Sequence, residues 1–187
     1  VIMKKTAIHK GYFTLELLER DNGIKREILR AKDAVSLLIY VPELQLIVVV
    51  RQRRDALVDK LNPDGLTMEL VAGRLDKKGK SIREIAAEEA MEEAGIKILP
   101  EQIELLNFGQ PVASSSGLSD ETVYLAYTEI TPDQIVSEGP FFGNSAEGEF
   151  TMREFIRTDE LPRKTWTNAQ TYAQIQWFLN NKLKGGK

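Results

Sequence analysis

Two apolar runs, residues 35–41 and 44–50, stand almost back to back and are parted by Pro42-Glu43. Both are rich in β-branched and other apolar side chains, with no polar alternation. That pattern reads as two central strands covered on both faces. A sheet buried on both faces needs a layer of structure on each side. The chain offers two helices for those layers. Residues 81–94 open on a capping box, with Ser81 followed three places on by Glu84, and stop at Gly95. Residues 169–183 place Tyr172, Ile175, Phe178 and Leu179 mostly on one face. Residues 11–20 and 24–30 read as a hairpin around Asp21-Asn22-Gly23. Residues 69–72, 103–108, 122–128 and 150–157 read as further strands. Strands and helices do not alternate strictly. The expected class is therefore α+β: an α/β/α sandwich with a mixed sheet between helices, preceded by an N-terminal β-hairpin subdomain. Residues 1–32 are assigned to that subdomain, which is expected to form a dimer contact, and residues 33–187 to the main domain. His9 is expected in a loose N-terminus.

Composition narrows the chemistry. The 187 residues contain no cysteine and one histidine, with 28 acids against 25 bases and a formal net charge of -3. A disulfide scaffold, a thiolate nucleophile, cysteine-based metal sites and multi-histidine sites are all excluded. There is no global basic footprint for nucleic acid and no polybasic membrane surface. The apolar runs are too short to span a bilayer. Lys4-Lys5 imitates a signal-peptide start, but no apolar stretch follows. Met3 is a candidate start, the Lys-Gly-Gly-Lys end reads as a frayed tail, and a cytoplasmic setting is expected. Metal or acid/base work must fall mainly to oxygen ligands.

Four acids crowd the first helix. Glu88, Glu89, Glu92 and Glu93 lie in its second half, and helical spacing puts Glu89, Glu92 and Glu93 on one side. Each like-charged pair at such spacings costs about a few tenths of a kcal/mol. A hard divalent cation turns that repulsion into coordination. The cluster alone reads equally as a solvated acidic face.

Its surroundings decide between the two. The segment from Glu69 to Ile96 reads ELVAGRLDKKGKSIREIAAEEAMEEAGI. It resembles the Nudix hydrolase signature, G-x5-E-x7-R-E-U-x-E-E-x-G-U with U apolar. Matched backwards from Gly95, Glu92 and Glu93 fall on the paired acids, Ala90 on the first U and Glu89 on the Glu of the R-E pair. The resemblance implies a loop–helix–loop in which Glu89, Glu92 and Glu93 hold Mg2+ or Mn2+ with the carbonyl of Ala72. One residue is inserted before the helix. Lys80 stands where the family has Glu, and Glu88 where it has Arg. These two family residues commonly form a salt bridge, so the expectation is an ion pair with its signs exchanged.

The resemblance covers roughly residues 10–182. Arg51-Gln52-Arg53-Arg54 is similar to the V-R-Q-x-R segment of the branch that splits ADP-ribose and nucleotide sugars, which implies that Arg54 faces a diphosphate. Arg51 and Glu69 are grouped with it as substrate-binding residues. Residues 115–121 (SSGLSDE) resemble the branch's S-P-G-x-S-x-E loop, with Ser116 in place of Pro, and imply a substrate-site role for Glu121. Ala146-Glu147-Gly148-Glu149 is similar to its E-G-E segment, which implies Glu147 as general base and Glu149 as a further metal ligand. Glu92 is the alternative base, and Glu92 and Glu93 complete the catalytic set. Lys164-Thr165-Trp166 adds a likeness to the UDP-sugar and nucleoside diphosphate sugar hydrolases of this branch. The implied activity is metal-dependent hydrolysis of the pyrophosphate bond of nucleoside diphosphate sugars by a homodimer. Two alternatives stand beside it: a non-catalytic sensor of nucleotide sugars, and an enzyme acting on free nucleotides or dinucleoside polyphosphates.

Overall fold

The computed structural model describes residues 3–60, 62–143 and 150–183. Twelve strands and two α-helices are found among these residues. The first three, β1 (Met3–Lys10), β2 (Thr14–Arg20) and β3 (Lys25–Arg30), form an antiparallel sheet of their own in the order β1-β2-β3. The Asn-Gly turn joins β2 to β3 as expected. The N-terminus is not loose, however. Residues 3–10 pair with β2 from Met3↔Arg20 to Lys10↔Thr14, with a shift of register between Ala7 and His9, and His9 is part of that strand. Ala7 and Ile8 had too little apolar content around them to signal a strand. The pairing comes from the edge that β2 presents.

The remaining strands build the main sheet. They are β4 (Ala34–Val41), β5 (Leu46–Arg53), β6 (Leu66–Glu69), β7 (Val71–Arg74), β8 (Glu104–Leu105), β9 (Val112–Ala113), β10 (Thr122–Glu129), β11 (Phe141–Phe142) and β12 (Thr151–Arg157). The central path runs β11-β12-β5-β4-β10-β8, with β6 on β5, β7 on β4 and β9 on β10. The β4–β10 pair is parallel and its neighbours are antiparallel, so the sheet is mixed. The two helices are α1 (Ile82–Ala94) and α2 (Ala169–Phe178).

The strand period of two sorts the core into two layers. Val35, Leu37, Ile39 and Val41 of β4, with Val48 and Val50 of β5, pack with Ile85, Ala86, Ala90 and Ala94 of α1. Leu38 of β4, with Ile47 and Val49 of β5, packs with Ile175 and Phe178 of α2. The continuous apolar runs are thus explained, because each face of β4 and β5 has its own helix.

Several boundaries depart from the sequence expectation. Pro42–Leu44 form a single helical turn, and Gln45 takes a left-handed φ of 53°, so β5 starts two residues late. The strand expected at 69–72 is two strands broken at Leu70, whose N–H donates to Thr171 Oγ1 of α2 (3.1 Å). The strand expected at 103–108 shrinks to β8, because Asn107 and Phe108 both take positive φ and a strand cannot continue through them. The last helix changes character after Phe178, where residues 179–183 form a π-type turn. There the Asn180 and Asn181 side chains donate to the carbonyls of Gln176 and Trp177 (2.8 and 2.7 Å).

One polar side chain pins α2 to the sheet. Gln174 is fully buried, and its Nε2 donates to Ser36 O of β4 (3.0 Å) and Ala126 O of β10 (2.9 Å). Gln174→Met keeps the shape but leaves both carbonyls without that donor. The expected loss is about 1–3 kcal/mol in denaturant unfolding. Unchanged stability would show that the bonds are dispensable.

Candidate active site

The acidic helix starts as the sequence indicates. Glu84 N–H donates to Ser81 Oγ (3.3 Å), and Ser81 N–H donates to Glu84 Oε2 (2.7 Å). It ends at Gly95, in the left-handed region at φ 62°. A Cβ there would also stand 2.5 Å from both Phe142 Cε1 and Ser137 Cβ, so Gly95 is needed for space as well as for conformation.

Between these ends the four acids take different environments. Glu93 is 5% exposed, and its Oε2 accepts the Ala72 N–H of β7 (3.0 Å). Glu89 is nearly as enclosed, with its side chain pressed over Gly73. A Cβ on Gly73 would fall 2.1 Å from Glu89 Cγ. Only glycine therefore lets this carboxylate reach the β7 backbone. Glu92 is about half exposed on the solvent side.

The resident positive charge is Lys77, from the loop between β7 and α1. Its Nζ lies 3.2 Å from Glu88 Oε2, 3.5 Å from Glu89 Oε1 and 3.4 Å from Glu92 Oε1. Burial disfavours the ammonium, but Glu88, Glu89 and Glu92 outweigh it and hold its pKa well above the ordinary lysine range. Lys80 Nζ contacts the other oxygen of Glu88, so the sign-exchanged pair expected from the sequence is present and Lys77 joins it. Lys80 first, and Lys77 with it, lower the Glu88 pKa. Among the described residues no three acids are gathered at metal-ligand spacing. The Lys77 ammonium nevertheless stands among Glu88, Glu89 and Glu92, and Gly73 leaves room for Glu89 beside β7. The donor set is all oxygen and suits Mg2+ or Mn2+.

The other expected site residues divide between the two faces of the sheet. Arg54, just past β5, forms a two-pronged pair with Glu69: Nε to Oε1 at 2.9 Å and Nη2 to Oε2 at 2.7 Å. Thr67 Oγ1 also donates to Glu69 Oε1. Burial alone would raise the Glu69 pKa, yet the Arg54 fork and Thr67 bring it below its ordinary value. The stability this pair adds is complete above the ordinary carboxylate range and is lost as pH falls through the depressed pKa. Glu69 stands opposite Val50, hence on the α1 face. Arg51 shares the face of Val49 and pairs with Glu154 of β12 (2.7 Å), so the structure places it on the α2 side, away from the acids of α1.

Glu121 lies at the end of the 115–121 loop. Its Oε2 accepts from Ser114 Oγ (2.7 Å), and its N–H donates to Ser119 Oγ (3.1 Å). The loop is stitched to the N-terminal sheet. Leu29 N–H donates to Leu118 O (2.9 Å), and Asp120 accepts from the Ala31 N–H and from Arg30 Nη1 (both 3.0 Å). Glu147 and Glu149 lie outside the described residues. Lys77 and Asp120 were not singled out from sequence. For Lys77 a signal existed, since the lysine-rich Asp76–Lys80 loop immediately precedes an acidic helix. For Asp120 none did, because its partners are remote in the chain.

Residues 30–178 match the NUDIX domain. The chain belongs to the Nudix family and is a hydrolase of it. Among its relatives is the uridine diphosphate glucose pyrophosphatase NUDT14 of Bos taurus, 29% identical over 162 residues, covering 72% of this chain and 71% of the bovine protein. The GDP-mannose pyrophosphatase of Enterobacter sp. (strain 638) is 31% identical over 146 residues, covering 74% and 73%. The ADP-ribose pyrophosphatase of Escherichia coli (strain K12) is 29% identical over 130 residues, covering 65% and 59%.

Two outcomes follow from this geometry. Gly73→Ala must push Glu89 off β7, and activity is expected to fall by about tenfold or more, because the supporting shell of a metal site commonly sets its affinity at that scale. Wild-type kinetics in that variant would show that Glu89 can move without consequence. Lys77→Met leaves the repulsion of Glu88, Glu89 and Glu92 less compensated. Its melting temperature should be lower than wild type in EDTA, and the gap should narrow on adding Mg2+. A gap that ignores Mg2+ would separate Lys77 from any cation site.

Proposed function

We propose that this Nudix hydrolase uses a divalent cation to cleave the pyrophosphate bond of nucleoside diphosphate sugars, giving a nucleoside monophosphate and a sugar phosphate. The observation that carries this reading is the packing of Glu89 and Glu93 on the Ala72-Gly73 backbone, with a cation, Lys77, already drawn among Glu88, Glu89 and Glu92. The named activities of the relatives support the substrate class. Their substrates differ in base and in sugar and share a diphosphate bridge.

Glu89, Glu92, Glu93, the Ala72 carbonyl and Glu149 would hold Mg2+ or Mn2+. When bound, such a cation neutralises phosphate charge and lowers the pKa of an attacking water. The chain's own part is positioning and proton transfer. Water attacks phosphorus, Glu147 takes its proton, and the P–O bond of the bridge breaks, with one phosphate leaving as a monoester. Glu92 is the alternative base. Glu69 holds the Nε–Nη2 edge of Arg54 and so fixes the plane in which the rest of the guanidinium would meet diphosphate oxygens. Glu121 shapes the substrate side. The N-terminal β1–β3 sheet, residues 1–32 with the main domain from 33, is the proposed dimer surface. No helix among the described residues is long and apolar enough to cross a membrane.

The test is product analysis on ADP-ribose, UDP-glucose, GDP-mannose, nucleoside triphosphates and dinucleoside polyphosphates, with Mg2+ and then EDTA. Monophosphate plus sugar phosphate from the first three substrates, abolished by EDTA, is the expected pattern. Turnover of triphosphates alone would move the enzyme to another branch, and binding without turnover would make it a sensor. Glu93→Gln can still accept the Ala72 N–H through its amide oxygen, so the fold should survive while metal-dependent turnover is lost. Near-wild-type activity in that variant would sink the site assignment.

A further inference from the structure

An α-helix leaves its last carbonyls without helical partners. At the end of α1, four successive carbonyls are taken by donors from one downstream stretch of chain. Gly143 N–H donates to Glu92 O (3.0 Å), and Thr151 Oγ1 donates to Glu93 O (3.0 Å). Arg153 Nη1 donates to Ala94 O (2.6 Å). The N–H groups of Val136 and Ser137 both donate to Gly95 O (3.1 and 3.2 Å).

Arg153 is central to this arrangement. It sits on the α1 face of β12, opposite Val50, and is 9% exposed. Its Nη2 reaches Ser137 O (3.1 Å) and Gly139 O (3.0 Å). Phe142 and Phe155 lie 4.8 and 5.1 Å from the guanidinium carbon. No carboxylate faces it among the described residues. Burial accordingly lowers its pKa from the ordinary guanidinium value. A buried charge without an ionic partner is costly, and neutral groups could fill such a space more cheaply. What a guanidinium adds is a rigid fork that reaches a helix end on one side and a loop on the other, with its charge at the negative end of the helix.

We infer that Arg153, seconded by Thr151, is a positioning residue for the acids of α1, fixing the last helical turn against β12 and so the directions in which Glu92 and Glu93 present their carboxylates. The inference rests on the proposed role of those acids as cation ligands. Lysine could reach Ala94 O but could not also span the carbonyls of Ser137 and Gly139.

The test compares Arg153→Met, Arg153→Lys and Thr151→Val in the full chain. Mn2+ binding without substrate is followed by electron paramagnetic resonance, amide exchange of residues 91–95 by mass spectrometry, and turnover against both Mg2+ and nucleotide sugar. Arg153→Met should weaken Mn2+ binding by about tenfold, the scale set by groups that orient metal ligands. Exchange at 91–95 should quicken, and turnover should recover at high Mg2+ with little change in KM for the sugar nucleotide. Arg153→Lys should recover part of the binding. Thr151→Val, nearly isosteric, should show a smaller loss, and it carries the test if Arg153→Met does not fold. Folded variants that bind Mn2+ as wild type does, while Glu93→Gln abolishes binding, overturn the inference alone. A wild-type chain whose Mn2+ binding is absent or indifferent to Glu93→Gln overturns the functional reading and the inference together.

Discussion

The close approach of a glycine backbone to a carboxylate governs this structure. Gly73 has no side chain, so Glu89 can lie on β7, and Glu93 one turn on can accept the Ala72 amide. The small residues of α1, Ala86, Ala90 and Ala94, fit against Val35, Leu37, Val48 and Val50. Core packing and acid placement thus meet along the same helix.

A helix burdened with adjacent acids also needs restraint along its length. The capping box holds its start, Lys77 and Lys80 offset its middle, and the downstream β12 segment holds its end. These restraints come from parts of the chain far apart in sequence. The acids are therefore held in place by the whole α1 side of the domain.

The sequence made legible what is local. The capping box, the Gly95 stop, the Asn-Gly turn and the doubly buried runs of β4 and β5 each announce themselves within a few residues, and the structure has them all. The family signature located the acids. Long-range pairing was not legible. Residues 3–10 become a strand because β2 offers an edge. Arg51 falls on the α2 face because a strand alternates, although a motif reading groups it with Arg54. Arg153 carries no local signal, since its partners are backbone carbonyls without a side-chain signature.

Lys77 has a consequence for the charge of α1. Many metal proteins cannot adopt their structure until the ion arrives, because unrelieved charge or missing ligation keeps the site open. Here the chain brings a counter-charge of its own, Lys77, 11 to 15 residues ahead of the acids it contacts. The charge balance of the acidic helix is thus written into the covalent chain, because the loop that leads into the helix carries the ammonium that offsets three of its carboxylates.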